Sequence, residues 1–296
     1  MEQNDLLLSD FEGYLKAKTF SNNSIRTFKS GVKIFLQSNP EADSYGYNQV
    51  LSYFDTWYCK ELSDNSRKGL LIHIKKYYDF LLEAGRRDDH PCRALNLPGG
   101  INRGIIHSDL FSSAELETLL SREEKFEKVR LKNQVVLSLL IYQGLMPAEV
   151  IKLKTGDINL DAGTVNIIGG RVLTSRKLQL YTRQILMMDK YLDVARKKLL
   201  KTQTDKLIIN YRGLADHTDS IQFLVQTCKG MFTDRSLTTK TIRDSVISNW
   251  LNEKKLLLEQ VQLLAGHRWI SCTERYVEIS MDEQREILRK VHPLDI

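Results

Sequence analysis

No stretch of this chain offers the unbroken apolar run of about 18 residues that a membrane-spanning helix requires. The segment ahead of the first apolar residues carries Glu2 and Asp5 where a secretory signal would carry basic residues. Neither a span nor a signal peptide is therefore expected. Cysteine is scarce: Cys59, Cys92, Cys228 and Cys272 stand far apart, with no CxxC pair among them. That spacing argues against a zinc site and against a disulfide framework, so no metal, no cofactor and a reducing, cytoplasmic setting are expected. Acidic residues are outnumbered, 37 Asp and Glu against 43 Lys and Arg, giving a net charge of +6 and a pI near 9.0. Such a balance favours a polyanionic partner, because each cation placed on a phosphate releases condensed counterions.

What is present is ordinary globular material, 42% hydrophobic and 27% charged over 296 residues. This length suits two domains, since single domains usually run to roughly 100 to 200 residues. From Leu7 to Leu82 apolar residues recur at helical spacing: Leu7, Phe11 and Leu15; Ile25, Phe28, Val32 and Phe35; Val50, Phe54 and Trp57; Leu70, Ile74, Tyr77 and Leu81. Four helices follow, with Ser21 and Ser63 as N-caps and Gly85 as a C-terminal stop. Residues 1–85 thus read as a small helical domain. Its polar faces carry Lys16, Arg26, Lys29 and Lys33, then Arg67, Lys68, Lys75 and Lys76, stripes that are either solvated faces or a basic surface. Pro91, Pro98, Gly99, Gly100 and Gly104 make 86–106 a linker.

The second domain, 107–296, opens on a capping box of Ser112 and Glu115, with Phe111 and Leu116 as its hydrophobic staple. An apolar helix over Val135–Ile141 ends at Gly144, and Pro147 suits the first turn of the next. The period then changes. Ile158–Asn159, Thr164–Ile168 and Lys177–Leu180 read as a three-stranded antiparallel sheet with Asp161-Ala162-Gly163 at its first turn. Beyond it helices are expected at about 184–200, 220–228, 239–251, 257–264 and 273–279.

Chemistry concentrates in three C-terminal runs, LTTKTIRDSV, VQLLAGHRW and TERYVE. They supply Lys240 and Arg243 three apart on one helical face, His267 just past a stop at Gly266, and Tyr276 on the helix that follows. A phosphodiester can be cut with such a set and no metal. A tyrosine hydroxyl attacks phosphorus, a guanidinium grips the nonbridging oxygens, and His or Lys moves protons. Taken singly, each residue is ordinary.

In this order and spacing, Lys240-Thr241-Ile242-Arg243, Ala265-Gly266-His267 and Tyr276 resemble the H/K-x-x-R, L-G-H and tyrosine signature of the tyrosine recombinase (phage integrase) family. The stretch QGLMPAEVIKLKTGDINL resembles the turn opening that family's catalytic domain, TVNIIGGRVLTSRKLQL its sheet, and the N-terminal helices its core-binding domain. The resemblance implies a mainly α fold: a four-helix, SAM-like core-binding domain, then a mostly helical catalytic domain with a small sheet. It implies Tyr276 as nucleophile, Arg243 as the second phosphate-binding arginine, His267 as its partner and Lys240 at the His/Lys position. The hairpin lysine of the family falls at Gly170 or Arg171, and Lys177 reaches in only if the hairpin is remodelled.

Further expectations follow from the resemblance. The two domains would clamp double-stranded DNA, contacted by Arg26, Lys29, Lys75, Arg86, Arg87, Arg103, Lys177 and Arg268, with 86–103 crossing the backbone. Four copies would assemble on two sites through a C-terminal helix near Glu283–Lys290, docking Ile287, Leu288 and Val291 into a neighbour. Two residues depart from the pattern. Met146 stands where the family's G-L-R turn has its first catalytic arginine, and Asp244 follows Arg243 where a histidine is common. Either a site-specific recombinase works through a 3′-phosphotyrosine with a cation from elsewhere, or the fold serves a non-cutting DNA-binding regulator.

Overall fold

The computed structural model describes residues 2–98 and 104–278 and divides into two compact units, Met1–Asn102 and Arg103–Ile296. Along the first run α1 (Glu2–Ala17), α2 (Asn22–Ser38), α3 (Tyr47–Tyr53), α4 (Trp57–Lys60) and α5 (Asp64–Glu83). The Ser21 and Ser63 hydroxyls accept from the backbone N–H groups of Ser24 (3.2 Å) and Ser66 (3.3 Å), satisfying donors that the first turns of α2 and α5 leave open. Gly85, at φ +66, takes the left-handed conformation that closes α5. Of the periodic positions, Leu7, Phe11, Leu15, Ile25, Val32, Phe35, Val50, Phe54, Leu70, Ile74, Tyr77 and Leu81 are buried.

The helix expected around Val50–Trp57 is two, α3 and α4. Thr56 turns its hydroxyl back onto the Tyr53 carbonyl at 2.7 Å, a local bond that competes with the helical ladder at the break. Part of the stretch 86–106, expected as a linker, packs on the first unit: Cys92 and Leu95 are buried in its core, and Lys75 donates to the Arg93 carbonyl at 2.9 Å. Arg103 and the segment expected as a C-terminal helix lie outside the described residues.

In the second unit α6 (Ser113–Thr118) is capped reciprocally. Glu115 N–H donates to Ser112 Oγ (3.3 Å) while Ser112 N–H donates to the Glu115 carboxylate (2.8 Å). Next come α7 (Glu127–Gln143) and α8 (Pro147–Val150), joined through Gly144 at φ +58. The sheet is β1 (Ile158–Asn159), β2 (Thr164–Ile167) and β3 (Arg176–Gln179), antiparallel in the order β1-β2-β3, with Val165 opposite both Ile158 and Leu178. A helix expected over 184–200 has three parts: α9 (Thr182–Lys190), a π-helical turn (Tyr191–Arg196) and α10 (Lys197–Leu199). The turn carries Tyr191 and Arg196 into the interior, where they donate to the carbonyls of Leu207 (2.9 Å) and of Thr204 and Lys206 (2.7 Å each). Then follow α11 (Thr218–Thr227), α12 (Thr239–Asn252), α13 (Leu258–Ala265) and α14 (Ser271–Glu274).

Helices α7 and α12 pack against each other and are buried on nearly every side along Val135–Ile141 and Ile242–Leu251, which marks them as the centre of the core. No helix among the described residues is long and apolar enough to cross a membrane.

In the first unit α2 and α5 meet closely at Gly31. A methyl group there would come within 2.1 Å of His73 Nδ1 and 3.0 Å of its Cβ, and the same imidazole packs edge-on against Phe28 at 5.1 Å. Gly31→Ala gains about 0.5–1 kcal/mol of helix propensity but must displace this ring, and overpacking costs about 1–3 kcal/mol. Net destabilisation is expected, read as a lower urea midpoint at unchanged slope. A midpoint at or above wild type would show that His73 swings out freely.

Candidate active site

Four separate segments bring the chemistry together. Helix α12 contributes Lys240, Arg243 and Asp244, the end of α13 contributes Gly266 and His267, and Tyr276 stands two residues past α14. The fourth segment is the turn into α8, with Met146 and Glu149. The last turn of α13 is closed by Gly266 at φ +72, where any side chain would be strained and a Cβ would lie 2.6 Å from an Arg176 guanidinium nitrogen. Past that turn the chain meets the β2–β3 hairpin: Thr174 N–H donates to Gly266 O at 2.9 Å and Leu173 pairs with His267 as an isolated antiparallel bridge. The hairpin thereby holds the histidine loop in place.

Arg243 is buried, 8% exposed, with one terminal nitrogen on Gly144 O (2.5 Å) and the other on Ala265 O (2.7 Å). Glu149 lies 3.8 Å from it and also takes Arg176 in a two-point ion pair, 2.7 and 3.3 Å, while accepting from Met146 N–H at 2.9 Å. The third Arg176 nitrogen donates to Leu264 O at 2.8 Å. Burial lowers the Arg243 pKa, with Glu149 opposing that shift.

Tyr276 is 6% exposed, and its hydroxyl donates to Asp244 Oδ1 at 2.6 Å. The other Asp244 oxygen takes Lys240 Nζ at 2.8 Å. Burial first, then the Asp244 carboxylate, hold the phenol well above its ordinary pKa. His267 lies nearly parallel to the Tyr276 ring, centroids 6.2 Å apart, and pairs through Nδ1 with Thr273 Oγ1 at 2.9 Å. Burial and the Arg243 and Arg176 guanidiniums push its pKa down to about 4, so the imidazole is neutral around pH 7.

Some expectations need correction. Tyr276 does not lie on a helix, because α14 ends at Glu274 and the chain turns before reaching it. Lys240 and Arg243 do not share an environment either: the Lys240 side chain is 79% exposed while Arg243 is interior, and Asp244 links the lysine to the tyrosine. Arg171 is exposed at the hairpin tip, with Arg268 bonded to the neighbouring Gly170 carbonyl at 3.3 Å. Lys177 alternates away from Arg176 on β3 and lines a groove with Tyr142, Tyr181 and Lys254. In the first unit Arg26 is exposed, Lys29 pairs with Glu12 (2.6 Å), Arg86 with Asp10 (2.6 Å) and Arg87 with Asp89 (2.7 Å).

Sequence reasoning missed Arg176 and Glu149. A signal for the first exists: Arg176 shares the period-two register of buried Leu178 and Leu180, so an arginine on that face demands an interior carboxylate.

Residues 110–283 match the model of the phage integrase family. Over 98% of both chains, the sequence is 26% identical to the tyrosine recombinase XerC of Halalkalibacterium halodurans, and it is 25% identical to XerD of the same organism over 92% of both. Among solved structures, XerH site-specific recombinase bound to a palindromic difH substrate superposes with a TM-score of 0.73 at 19% identity, covering 93% of this chain and 81% of that one. A lambda integrase dimer bound to a COC′ core site gives 0.69 at 15% identity, covering 93% and 95%. These structures share the fold, a mostly helical body with one small antiparallel sheet, and the family match spans more than half the sequence: the chain belongs to the phage integrase family of tyrosine recombinases.

Proposed function

We propose that this protein is a site-specific DNA recombinase that cuts and rejoins strands through a 3′-phosphotyrosine at Tyr276. The observation that carries the reading is that Tyr276, Arg243 and His267, drawn from separate segments, come together in one cluster, with exposed Lys240 linked to the tyrosine through Asp244. Arg243 is steered by two backbone carbonyls, an arrangement suited to holding a phosphate oxygen without moving. His267, neutral and braced by Thr273, serves as a hydrogen-bonding partner to that phosphate. Double-stranded DNA is the partner that the net charge of +6 favours, with exposed Arg26 and Arg268 among its contacts. Assembly of four copies on two sites belongs to the same reading.

Incubation with a nicked duplex, carrying the sequence the protein selects from a random duplex library, should give a denaturation-resistant protein–DNA adduct. Tyr276→Phe should abolish the adduct and leave duplex affinity nearly unchanged, since it deletes one hydroxyl. Binding without any adduct from the wild type would favour the second reading, a DNA-binding regulator on a recombinase fold. Met146 favours that reading, because a thioether cannot hold a phosphate oxygen.

Met146 is 42% exposed at the start of α8, so a longer side chain fits there without repacking. Arg176, the guanidinium bound to the Glu149 that caps this turn, is committed to Glu149 and Leu264 O and does not replace a missing phosphate ligand. Met146→Arg should therefore speed adduct formation, by up to about 10²-fold if one electrostatic contact in the transition state is restored. A slower variant would mean that another cation already occupies the corner.

The depressed histidine makes a separate prediction. A group neutral in the fold down to about pH 4, but with an ordinary value of 6.5, contributes stability fully above pH 6.5 and loses it as pH falls toward 4. Relative to His267→Gln, the wild type should lose on the order of 1 kcal/mol across that window, solvent screening at the partly exposed ring holding the loss below what full burial would give, measured by denaturant unfolding. Parallel pH curves for the two proteins would refute the assignment.

A further inference from the structure

We infer that Asp244 is a catalytic residue, the general base that takes the Tyr276 proton as the tyrosine attacks DNA; this rests on the recombinase reading above. A phenol is a weak nucleophile until its proton leaves, and a base must stand within about 2.6–3.2 Å to take it. Asp244 Oδ1 is 2.6 Å from the hydroxyl, which donates to it. The neighbours do not fill that role. Lys240 and Arg243 carry donors only. His267 stacks nearly parallel to the phenol with centroids 6.2 Å apart and Nδ1 on Thr273, and the hydroxyl's bond goes to Asp244 instead. The carboxylate is also aimed, since Lys240 holds Oδ2 at 2.8 Å and leaves Oδ1 to the tyrosine. A carboxylate beside an incoming phosphate is otherwise a liability, as like charges repel. Lys240 on one side and buried Arg243 nearby offset that repulsion.

Tyr276 Oη forms a bond to phosphorus as its proton passes to Asp244 Oδ1, the bond from phosphorus to the 5′ oxygen breaks, and the departing alkoxide takes a proton from solvent water. Protonated Asp244 then returns its proton to solvent, or to Tyr276 when a 5′-hydroxyl reverses the attack. While the proton remains on the phenol, burial and the same carboxylate raise its pKa. The proton leaves the oxygen only as the bond to phosphorus forms, so the unliganded site is quiescent.

The test uses the full chain and the same selected nicked duplex, made in two forms. One has the normal 5′ oxygen at the cleaved bond and the other a bridging 5′ sulfur, which departs without needing a proton. Asp244→Asn keeps shape and a hydrogen-bond acceptor but removes the basic oxygen. Adduct formation should fall about 10²- to 10⁴-fold on both duplexes, with duplex affinity and thermal midpoint close to wild type. Rescue by the sulfur duplex would place Asp244 at the leaving group and overturn the proposal. So would a rate equal to or above wild type, which would make the carboxylate a restraint on Tyr276. If Asp244→Asn does not fold, Asp244→Glu decides: measurable cleavage by the longer carboxylate supports a base, and a folded, DNA-binding but inert glutamate variant refutes one. No adduct from the wild type, with binding intact, overturns the recombinase reading itself and this assignment with it. A selective loss in Asp244→Asn beside an active wild type is thus readable without ambiguity.

Discussion

Glu149 is a carboxylate in the interior that two buried guanidiniums depend on. It takes Arg176 from β3 at two points, lies within 3.8 Å of Arg243 on α12, and caps the N–H of Met146 at the start of α8. Burying cations in a low-dielectric interior is expensive unless they are paired and bonded, and losing one partner strands the others. Three elements distant in sequence are tied to one another by this single side chain. The position of Arg243 follows from it, together with the carbonyls of Gly144 and Ala265, both at helix ends where carbonyls lack intrahelical partners.

The same constraint sets the electrostatics of the pocket. Burial first, and then the two guanidiniums held beside Glu149, keep His267 neutral. Tyr276 is shielded differently, by the core on one side and by Asp244 on the other. The hairpin between β2 and β3 reaches across and bonds the Gly266–His267 segment, so the sheet, small as it is, serves chiefly to position the histidine loop and to deliver Arg176.

The first unit is built on another principle. Its core is aromatic, with Phe11, Phe35, Tyr53, Tyr77, Tyr78 and Phe80 in edge-on and tilted contacts, and such pairs add to the stability that burial alone supplies. Many of its surface cations are held by carboxylates of the same unit, as Lys29 is by Glu12 and Arg86 by Asp10. Exposed ion pairs of this kind add little to stability.

Most helices, their caps and much of the core of each unit were determined by the sequence itself, because they rest on local rules: period, N-cap hydroxyls, a glycine at a left-handed position; the breaks at 53–57 and 191–196 and the early end at Glu274 were not. Ser21, Ser63, the Ser112–Glu115 box and Gly144 all act where their spacing placed them. The candidate residues Tyr276, Arg243 and His267 were legible too, since their order and spacing are linear. What joins them was not. That Asp244 accepts the tyrosine hydroxyl and that Arg176 pairs with Glu149 depend on contacts across 32 and 27 residues. Only the tertiary structure decided these, because a buried charge selects its partner by which segments meet in the interior, and periodicity along one segment carries no information about that meeting.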